Sequence, residues 1–541
     1  MPRNDEIRIT SDQIDRGGRP ALQTRLTPAA DVRQCAILAQ PTAVIPVVFL
    51  PGIMGTNLMS DTGSKVWRPP NTDGVVPVLG AIGQMFAYIF RGPATRQRML
   101  DPETVQVDGR GAIDTEGSLD KQAARDRGWG ALMRSAYHPV MSQMQRRLNN
   151  IMESCELLEW WNAEAQRVPA DYGDEKVNPA LDVDDLKHAA TFRYEVWGGG
   201  YNWLQSNEDS GQDLIDYIED VVLAHHHSLG EAAEKVILVT HSMGGLVGRS
   251  IARLHDYGKL LGVVHGVMPA TGAPATYHHC RCGYEGVSQL ILGRNAKEVT
   301  AIVANAPGAL ELLPSTDYGE GRAWLKLGGP ADRPSHALPV ADPYVEIYQS
   351  REWYGLVPEV NAEMLDPAGL NGIEGVEGIG VDPFDRFDLK VDDVKSFHSS
   401  ISGKYPEPAY VHYGADTRRQ GWTDVHWQGP EVVDPARIRL EDDDGNGKLR
   451  VTDGSADFRL RFGSATQPGD GTVPTVSGAA PGLVAVQACF RQGDEGEGEH
   501  VKLNGKRKDK GYEHQDSYND VRSQWATLYS VVRLSRGADW A

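Results

Sequence analysis

The sequence predicts a mixed α/β protein with a mostly parallel central sheet, helices on both faces of that sheet and a large inserted cap. Three observations predict this class. Short continuous apolar runs recur along the chain and are typical of strands buried on both faces. Several of these runs end in glycine-rich turns, and helix-periodic segments lie between them. One long stretch, 276–405, exceeds a simple connection between strands and is therefore predicted to be an insertion.

The predicted domain organisation follows from these elements. A polar arm, which we expect to be loosely docked, precedes the first apolar run. The boundaries are 1–43 for the arm, 44–275 and 406–541 for the core, 276–405 for the cap, and about 424–462 for a hairpin inserted in the core.

Composition and charge narrow the possible functions. The chain has 541 residues and a formal net charge of −20, which argues against a nucleic-acid partner and against electrostatic docking onto anionic lipid. Its five cysteines are odd in number and scattered, so they do not indicate a disulfide framework. The polar amino terminus lacks the apolar core of a secretory signal, and the longest nearly apolar run is too short for a transmembrane segment. We therefore expect synthesis in the cytoplasm without a signal peptide.

The first buried strand leads directly into a candidate oxyanion hole. Ile45–Leu50 is an apolar run, and the glycine-rich turn Pro51–Leu58 follows it at once. Such a turn exposes backbone N–H groups, which is what an oxyanion hole requires. We predict the amide of Met54 as the first donor, with that of Ile53 as the alternative, and the amide of Met243 as the second. A plain strand and turn remains the other interpretation of this stretch.

The segment 75–100 is a possible second lid. Its apolar, glycine-hinged first half is followed by several arginines, a pattern that fits a lid or a surface that dips into lipid. A core helix under a loop explains the pattern equally well. The residues predicted to face substrate are Val78, Met85, Phe86 and Phe90.

The strongest local motif is a serine on a tight turn between a strand and a helix. Val236–Val239 is a buried strand, His241-Ser242-Met243 forms the turn, and Gly244-Gly245 opens an apolar-periodic helix. This context is that of the nucleophile elbow of the α/β-hydrolase fold, so Ser242 is the candidate nucleophile. Thr240 stands where the pattern usually has a glycine. The alternative is a serine that caps a helix after a buried strand.

Other candidate motifs are weaker. The residues from 101 to 190 are mostly polar and helical, and we predict no chemistry there. The histidine run 225–227 ends a predicted helix, which favours a solvated terminus stabilised by the helix dipole over a metal site. The cluster His278, His279, Cys280 and Cys282 has no second cluster with the spacing of a structural zinc site. The acidic stretch 442–447 fits a hairpin turn better than a calcium loop. We therefore predict neither a metal nor a cofactor.

A candidate acid and base follow late in the chain. Asp470 is flanked by glycines and precedes a predicted strand, Leu483–Cys489, while His514 lies on a loop before the last helix. The order serine, aspartate, histidine is that of the α/β-hydrolase triad. A serine hydroxyl needs an imidazole to accept its proton and a carboxylate to orient that imidazole. Asp416 and His500 are the rival acid and base.

Four motifs together carry a family resemblance. They are Phe49–Leu58, Tyr201–Trp203, Thr240–Gly245 and Gly469–Val473. They resemble the lecithin:cholesterol acyltransferase and lysosomal phospholipase group, and the GPI-inositol deacylase type of lipase is similar too. The resemblance implies a serine lipase or phospholipase that cleaves carboxylic esters of membrane lipids through an acyl-enzyme. It also implies that Ser242, Asp470 and His514 form the triad.

The resemblance leaves the acyl acceptor and the biological role open. The alternative activity is an esterase or acyltransferase of the same fold acting on a soluble acyl ester, and a non-catalytic module with this fold is a further possibility. A lipid hydrolase without a signal peptide would endanger its own cell, and antibacterial type VI secretion lipase effectors resemble this chain. That role implies an immunity protein, a secretion-machine partner and signal-independent delivery into target cells.

Overall fold

The described part of the chain includes the central sheet and the residues of the predicted triad. A computed structural model describes residues 41–69, 92–153, 156–163, 165–284, 293–370, 382–484, 486–493 and 511–540, with four two-residue strands before residue 41. The lid residues Val78, Met85, Phe86 and Phe90, and the rival base His500, lie outside these ranges. No helix within them is long and apolar enough to cross a membrane.

Six parallel strands form the central sheet. They are β1 (Val44–Leu50), β2 (Arg193–Gly198), β3 (Val236–His241), β4 (Leu260–Gly266), β5 (Ala409–Gly421) and β6 (Ala488–Gly493). Their order across the sheet is β2-β1-β3-β4-β5-β6, and the short strand Gln467–Gly469 pairs antiparallel with the far end of β5. The prediction of a mostly parallel sheet is therefore confirmed.

The sheet separates two hydrophobic cores. Alternate residues of β1 enter each core: Val48 and Leu50 face one side, whereas Val47 and Phe49 face the other. This is why the strand is a continuous apolar run rather than an alternating one. The first core contains the helix after Ser242 and much of the predicted cap, and the second contains the helices Arg134–Leu148 and Val521–Ser535.

Helices surround the sheet and build most of the remaining structure. The α-helices are Pro93–Met99, Lys121–Asp126, Arg134–Leu148, Glu159–Ala163, Val183–Ala189, Asn207–Tyr217, Ala224–Ser228, Gly244–Arg253, Pro274–Cys282, Ala296–Val303, Pro307–Leu310, Pro383–Ile401, Thr475–Gly478 and Val521–Ser535. Shorter 3₁₀ segments are Trp129–Ala131, Pro169–Tyr172, Tyr318–Glu320, Glu359–Met364, Pro435–Arg437, Ala480–Leu483 and Ser517–Asn519, and π segments are Ile218–Leu223 and Tyr344–Tyr348.

Two further sheets of three or more strands lie outside the central one, and Met152–Glu153 pairs with Glu156–Leu157 in a separate two-stranded sheet. A three-stranded sheet contains Leu58–Ser60, Lys65–Trp67 and Val105–Val107. A six-stranded sheet runs in the order His336–Leu338, Leu325–Leu327, Val425–Gln428, Asp457–Phe462, Lys448–Thr452 and Arg439–Asp443. The second sheet joins strands of the predicted cap to the predicted hairpin, a relation that the sequence analysis missed because such pairings leave no local pattern.

Residues of the predicted cap contact segments that follow strands of the central sheet. The amide of Ala273, beyond β4, donates to the carbonyl of Leu312 at 2.9 Å. The carboxylate of Glu311 accepts from the amide of Asn207 at 2.9 Å, at the start of the helix that follows β2. Arg96 on the helix Pro93–Met99 pairs with Glu298 of the predicted cap at 3.4 Å.

One predicted strand was wrong in position. Leu483–Cys489 was predicted to be a strand, but Leu483 ends a 3₁₀ segment and is 72% exposed. The strand is β6, which begins at Ala488. Pro481 and Gly482 favour a turn, and they delay the strand by several residues.

Candidate active site

Ser242 lies on a sharp turn at the carboxyl end of β3. Its φ is 53°, an unusual backbone conformation for a residue with a side chain, and its amide donates to the carbonyl of Gly266 at 2.8 Å. Met243 then caps the helix Gly244–Arg253, which we call the elbow helix. Backbone strain at a buried serine between a strand and a helix is the local geometry of a nucleophile elbow.

Glycines allow the loop after β1 to touch this turn. A Cβ atom on Gly52 would lie 2.9 Å from Ser242 Cβ and 2.8 Å from His241 Nδ1. A Cβ on Gly244 would lie 2.5 Å from the carbonyl oxygen of Pro51. The loop after β1 and the elbow are therefore in direct backbone contact, which any side chain at either glycine would prevent.

Thr240 is accommodated by two neighbours. A Cβ atom on Gly248 of the elbow helix would lie only 3.2 Å from the Cγ2 methyl of Thr240. Because Gly248 has no side chain, the elbow helix leaves room for this methyl group. The hydroxyl of Thr240 lies 3.0 Å from Nδ1 of buried His265. Threonine therefore fits at the usual glycine position because a small helix residue and a hydrogen-bond partner lie opposite it.

The structure brings together the serine, histidine and aspartate singled out in the sequence. His514 Nε2 lies 2.9 Å from Ser242 Oγ, and His514 Nδ1 lies 2.8 Å from Asp470 Oδ2. The other oxygen of Asp470 accepts from the amides of Thr472 at 3.0 Å and Val473 at 2.7 Å. The amide of His514 donates to the carbonyl of Asp470 at 2.9 Å, which fixes the two loops to each other.

Burial and charge act on His514 in opposite directions. Burial lowers the pKa of its imidazole. The charge and hydrogen bond of Asp470, together with the charge of Glu513, raise this pKa by more than burial lowers it. The pKa of His514 therefore lies above its usual value. A nearby carboxylate that no other cation neutralises raises the pKa of an imidazole, because it stabilises the protonated imidazolium form.

Asp416, the rival acid, has a different position. Its buried carboxylate accepts from the amide of Tyr512 at 2.7 Å and pairs with Arg418 at 2.9 Å. It therefore holds the start of the loop that carries His514, whereas Asp470 contacts the imidazole itself.

The loop after β1 forms a four-residue turn. The amide of Gly55 donates to the carbonyl of Gly52 at 3.0 Å, and Met54 has a φ of 62°. The indole Nε1 of Trp67 donates to the carbonyl of Met54 at 2.8 Å. Gly52 is thus the residue of the turn that touches Ser242, while Met54 is held by Trp67.

Tyr137 is a residue near the site that the sequence analysis missed. The stretch 101–190 was predicted to hold no chemistry, but Tyr137 on the helix Arg134–Leu148 reaches the turn after β1. Its hydroxyl accepts from the amide of Gly52 at 3.2 Å and lies 3.2 Å from His241 Nδ1. No local pattern marks such a residue, since one buried tyrosine on a polar helix is usually part of the core.

The histidine run lies beside a buried ion-pair cluster. In the part of the chain that the structure describes, one group of potential metal ligands is found: Glu195, His225 and His226, with ligand atoms within 4.8 Å. Both carboxylate oxygens of Glu195 are paired with arginines, at 2.9 Å from Arg127 and 3.1 Å from Arg193. The arginines neutralise the charge that a metal ion would need.

The two remaining sequence candidates are engaged in protein contacts. The ring of His278 stacks on Trp422 with centroids 4.2 Å apart. Asp443, in the acidic turn, pairs with buried Arg281 at 3.0 Å and accepts from the amide of Gly445 at 2.9 Å. These contacts fit structural roles for both.

Comparison with known proteins adds a family to this geometry. No protein-family model matches the chain, and no curated protein matches it. A solved structure does: "The crystal structure of Tle4-Tli4 complex" contains a chain that is 46% identical, with a TM-score of 0.80. The alignment covers 92% of this chain and 100% of that chain.

The chain belongs to the Tle4 family. This family membership makes it a lipase effector of the type VI secretion system, and thus a carboxylic ester hydrolase. The predicted lipase and effector class is therefore confirmed. The alignment, at 46% identity, covers 92% of this chain, so the similarity extends well beyond the four motifs quoted from the sequence.

Proposed function

We propose that this Tle4-family chain has the α/β-hydrolase fold and cleaves glycerophospholipid esters with Ser242 as nucleophile, His514 as base and Asp470 as orienting acid. The observation that carries the proposal is the unbroken hydrogen-bonded series Ser242–His514–Asp470, with distances of 2.9 and 2.8 Å. The parallel sheet supports the fold, since the serine and the histidine loop meet at its carboxyl edge.

In the acylation step, His514 has one tautomer that suits both partners. The carboxylate of Asp470 can only accept, so His514 Nδ1 carries the proton and Nε2 is free to take the proton of Ser242. Ser242 Oγ then bonds to the ester carbonyl carbon, and the imidazolium returns the proton to the departing alcohol. Asp470 stabilises the imidazolium during this step.

The oxyanion of the tetrahedral intermediate needs two amide donors. We assign the amide of Met243, at the start of the elbow helix, and that of Ile53. Ile53 is favoured over Met54 because it directly follows Gly52, the turn residue in contact with Ser242. In deacylation, His514 activates a water that attacks the acyl-enzyme, and Ser242 leaves with the proton from His514.

The substrate class rests on the family. Phospholipid is the substrate we propose, with 276–405 as the cap. The net charge of −20 favours entry by apolar contact rather than by attraction to anionic headgroups.

The biological role follows from the same family. We propose that the chain is delivered by the type VI machine into target bacteria. The similar solved structure is a Tle4-Tli4 complex, and we propose that a Tli4-like immunity protein binds this chain too.

The direct test is release of free fatty acid from mixed phospholipid vesicles by wild type and Ser242→Ala. We expect release by the wild type alone. Release by both would overturn the role of Ser242, whereas turnover of a short soluble ester without vesicle release would favour the esterase alternative. For the role in bacterial competition, periplasmic expression in a susceptible bacterium should be toxic, and equal toxicity of Ser242→Ala would contradict it.

A further inference from the structure

Three hydrogen bonds connect the turn after β1 to the loop that carries His514. The amide of Gly52 donates to Tyr137 Oη at 3.2 Å, and Tyr137 Oη lies 3.2 Å from His241 Nδ1. His241 Nε2 lies 3.0 Å from the carbonyl oxygen of His514. The series thus runs from the proposed oxyanion turn, across the residue before the nucleophile, to the backbone of the proposed base.

Each proton in this series has one consistent place. The carbonyl of His514 can only accept, so His241 Nε2 carries the proton and Nδ1 accepts. Tyr137 gives its single hydroxyl proton to Nδ1 and accepts from the amide of Gly52. Burial and nearby His514 lower the pKa of His241 to about 3, and burial raises the pKa of Tyr137 to about 12. The series therefore keeps the same direction across the assay range of pH.

The contacts of both side chains differ from those of a reacting group. His241 and Tyr137 are 2% and 1% exposed, and both ring nitrogens of His241 have their partners in this series. The Tyr137 ring packs on Phe49 at 5.1 Å and on His241 at 5.4 Å, which ties the series to the core behind the sheet. Gly52 has no side chain of its own that could hold the turn.

We propose that Tyr137 and His241 are positioning residues, which together form a hydrogen-bonded bridge that sets the distance between the oxyanion turn and His514. The inference rests on the proposed function, because it assigns these two groups a task in the same reaction. A tetrahedral intermediate must reach the turn and the base at once, so a small displacement of either lowers the rate of the chemical step.

Tyr137→Phe is the sharpest variant, since it removes only the hydroxyl and keeps the ring. On a short soluble ester we expect kcat to fall about 10- to 100-fold, as for a misplaced oxyanion donor, with KM nearly unchanged. The burst amplitude, which counts active sites, and the acid limb of the pH profile should stay at wild-type values. Tyr529→Phe is the matched control, since it removes a buried hydroxyl that donates to the carbonyl of Pro179 and accepts from Arg533, outside the series.

His241 variants separate the two ends of the bridge. In His241→Gln the amide nitrogen replaces Nε2 but the link to Tyr137 is lost, whereas His241→Asn keeps an acceptor for Tyr137 and loses the link to His514. We expect His241→Gln and His241→Asn each to resemble Tyr137→Phe, and a double variant of either with Tyr137→Phe to be no slower than the single variants, because one broken link already interrupts the bridge.

The outcomes are distinguishable. Activity in Ser242→Ala would overturn the proposed function itself. If Ser242→Ala is inactive while Tyr137→Phe keeps kcat within twofold, or loses rate only through a smaller burst, the bridge alone is wrong. Should Tyr137→Phe fail to fold, the kcat and burst of His241→Gln decide by the same criteria.

Discussion

His514 and His226 are both buried histidines beside carboxylates, one beyond the carboxyl end of the central sheet and one near its amino end. Burial lowers the pKa of each. For His514 the attraction of Asp470 more than offsets burial, whereas for His226 the attraction of Glu195 and Glu231 does not, so its pKa stays below the usual value.

The difference lies in what else the carboxylates bind. Glu195 and Glu231 are paired with Arg193 at 3.1 and 2.7 Å, and Arg127 pairs with Glu195 as well. Within the described residues, Asp470 forms no ion pair with a lysine or arginine, and its other partners are backbone amides. A carboxylate left without an arginine can stabilise an imidazolium, which a base needs midway through each step.

The largest effect on the catalytic rate should come from variants of His514 and Asp470. We expect His514→Ala to lower kcat on a soluble ester by about 10⁵-fold and Asp470→Asn by about 10⁴-fold, because the first removes the base and the second favours the wrong tautomer. Steady-state kinetics checks both. Asp416→Asn is the comparison variant, and a loss equal to that of Asp470→Asn would contradict the assignment of the acid.

Disrupting the ion-pair cluster beside His226 should lower the stability of the fold and leave the catalytic rate unchanged. Glu195→Gln leaves Arg127 and Arg193 with less compensating charge in a buried site, so we expect the free energy of unfolding to fall by about 3 kcal/mol. Denaturant titration measures the loss, and kcat per active site should not change. Glu363→Gln, in an exposed pair with Lys297, is the control with an expected cost of about 0–1 kcal/mol.

A third buried histidine, His265, has a neutral hydroxyl as its hydrogen-bond partner instead of a carboxylate. It faces the hydroxyl of Thr240, and burial lowers the pKa of His265 to about 3. Thr240→Val leaves Nδ1 of His265 unpaired and should cost about 1–2 kcal/mol of unfolding free energy, while Thr240→Ser keeps the hydroxyl and should cost less. Thermal unfolding checks this, and equal losses would show that the hydroxyl is not what matters.

The smallest effect concerns the pH profile. His514 acts as a base only when it is neutral, so kcat/KM should fall as pH drops through its raised pKa, with a midpoint above that of an ordinary histidine. Glu513→Gln removes a negative neighbour, so the midpoint should move to lower pH. A midpoint that moves upward would contradict this account of the charge around His514.

The strands and the elbow were predictable because their signals are local. The run Val236–Val239, the turn at Ser242 and the glycines that follow carry their pattern within a few residues. Asp470 and His514 were found from residue order along the chain, and they now lie within hydrogen-bond distance of each other. Their catalytic roles stay predictions.

What the sequence did not reveal depends on contacts between distant segments. Tyr137 and Gly52 are 85 positions apart, and nothing near Tyr137 marks it as a neighbour of the elbow. The same holds for the pairing of Leu325–Leu327 with Val425–Gln428, which joins the predicted cap to the predicted hairpin. For Thr240 the sequence did contain a signal. Gly248, four residues after Gly244 on the elbow helix, has no side chain and leaves room for the threonine methyl group.

The most direct test of the central claim is covalent labelling with an alkyl fluorophosphonate, followed by peptide mass spectrometry. The triad assignment predicts one adduct, on Ser242, that forms much more slowly in His514→Ala and in Asp470→Asn. Loss of activity with the adduct on another serine, or labelling of Ser242 at the same rate without His514, would contradict it.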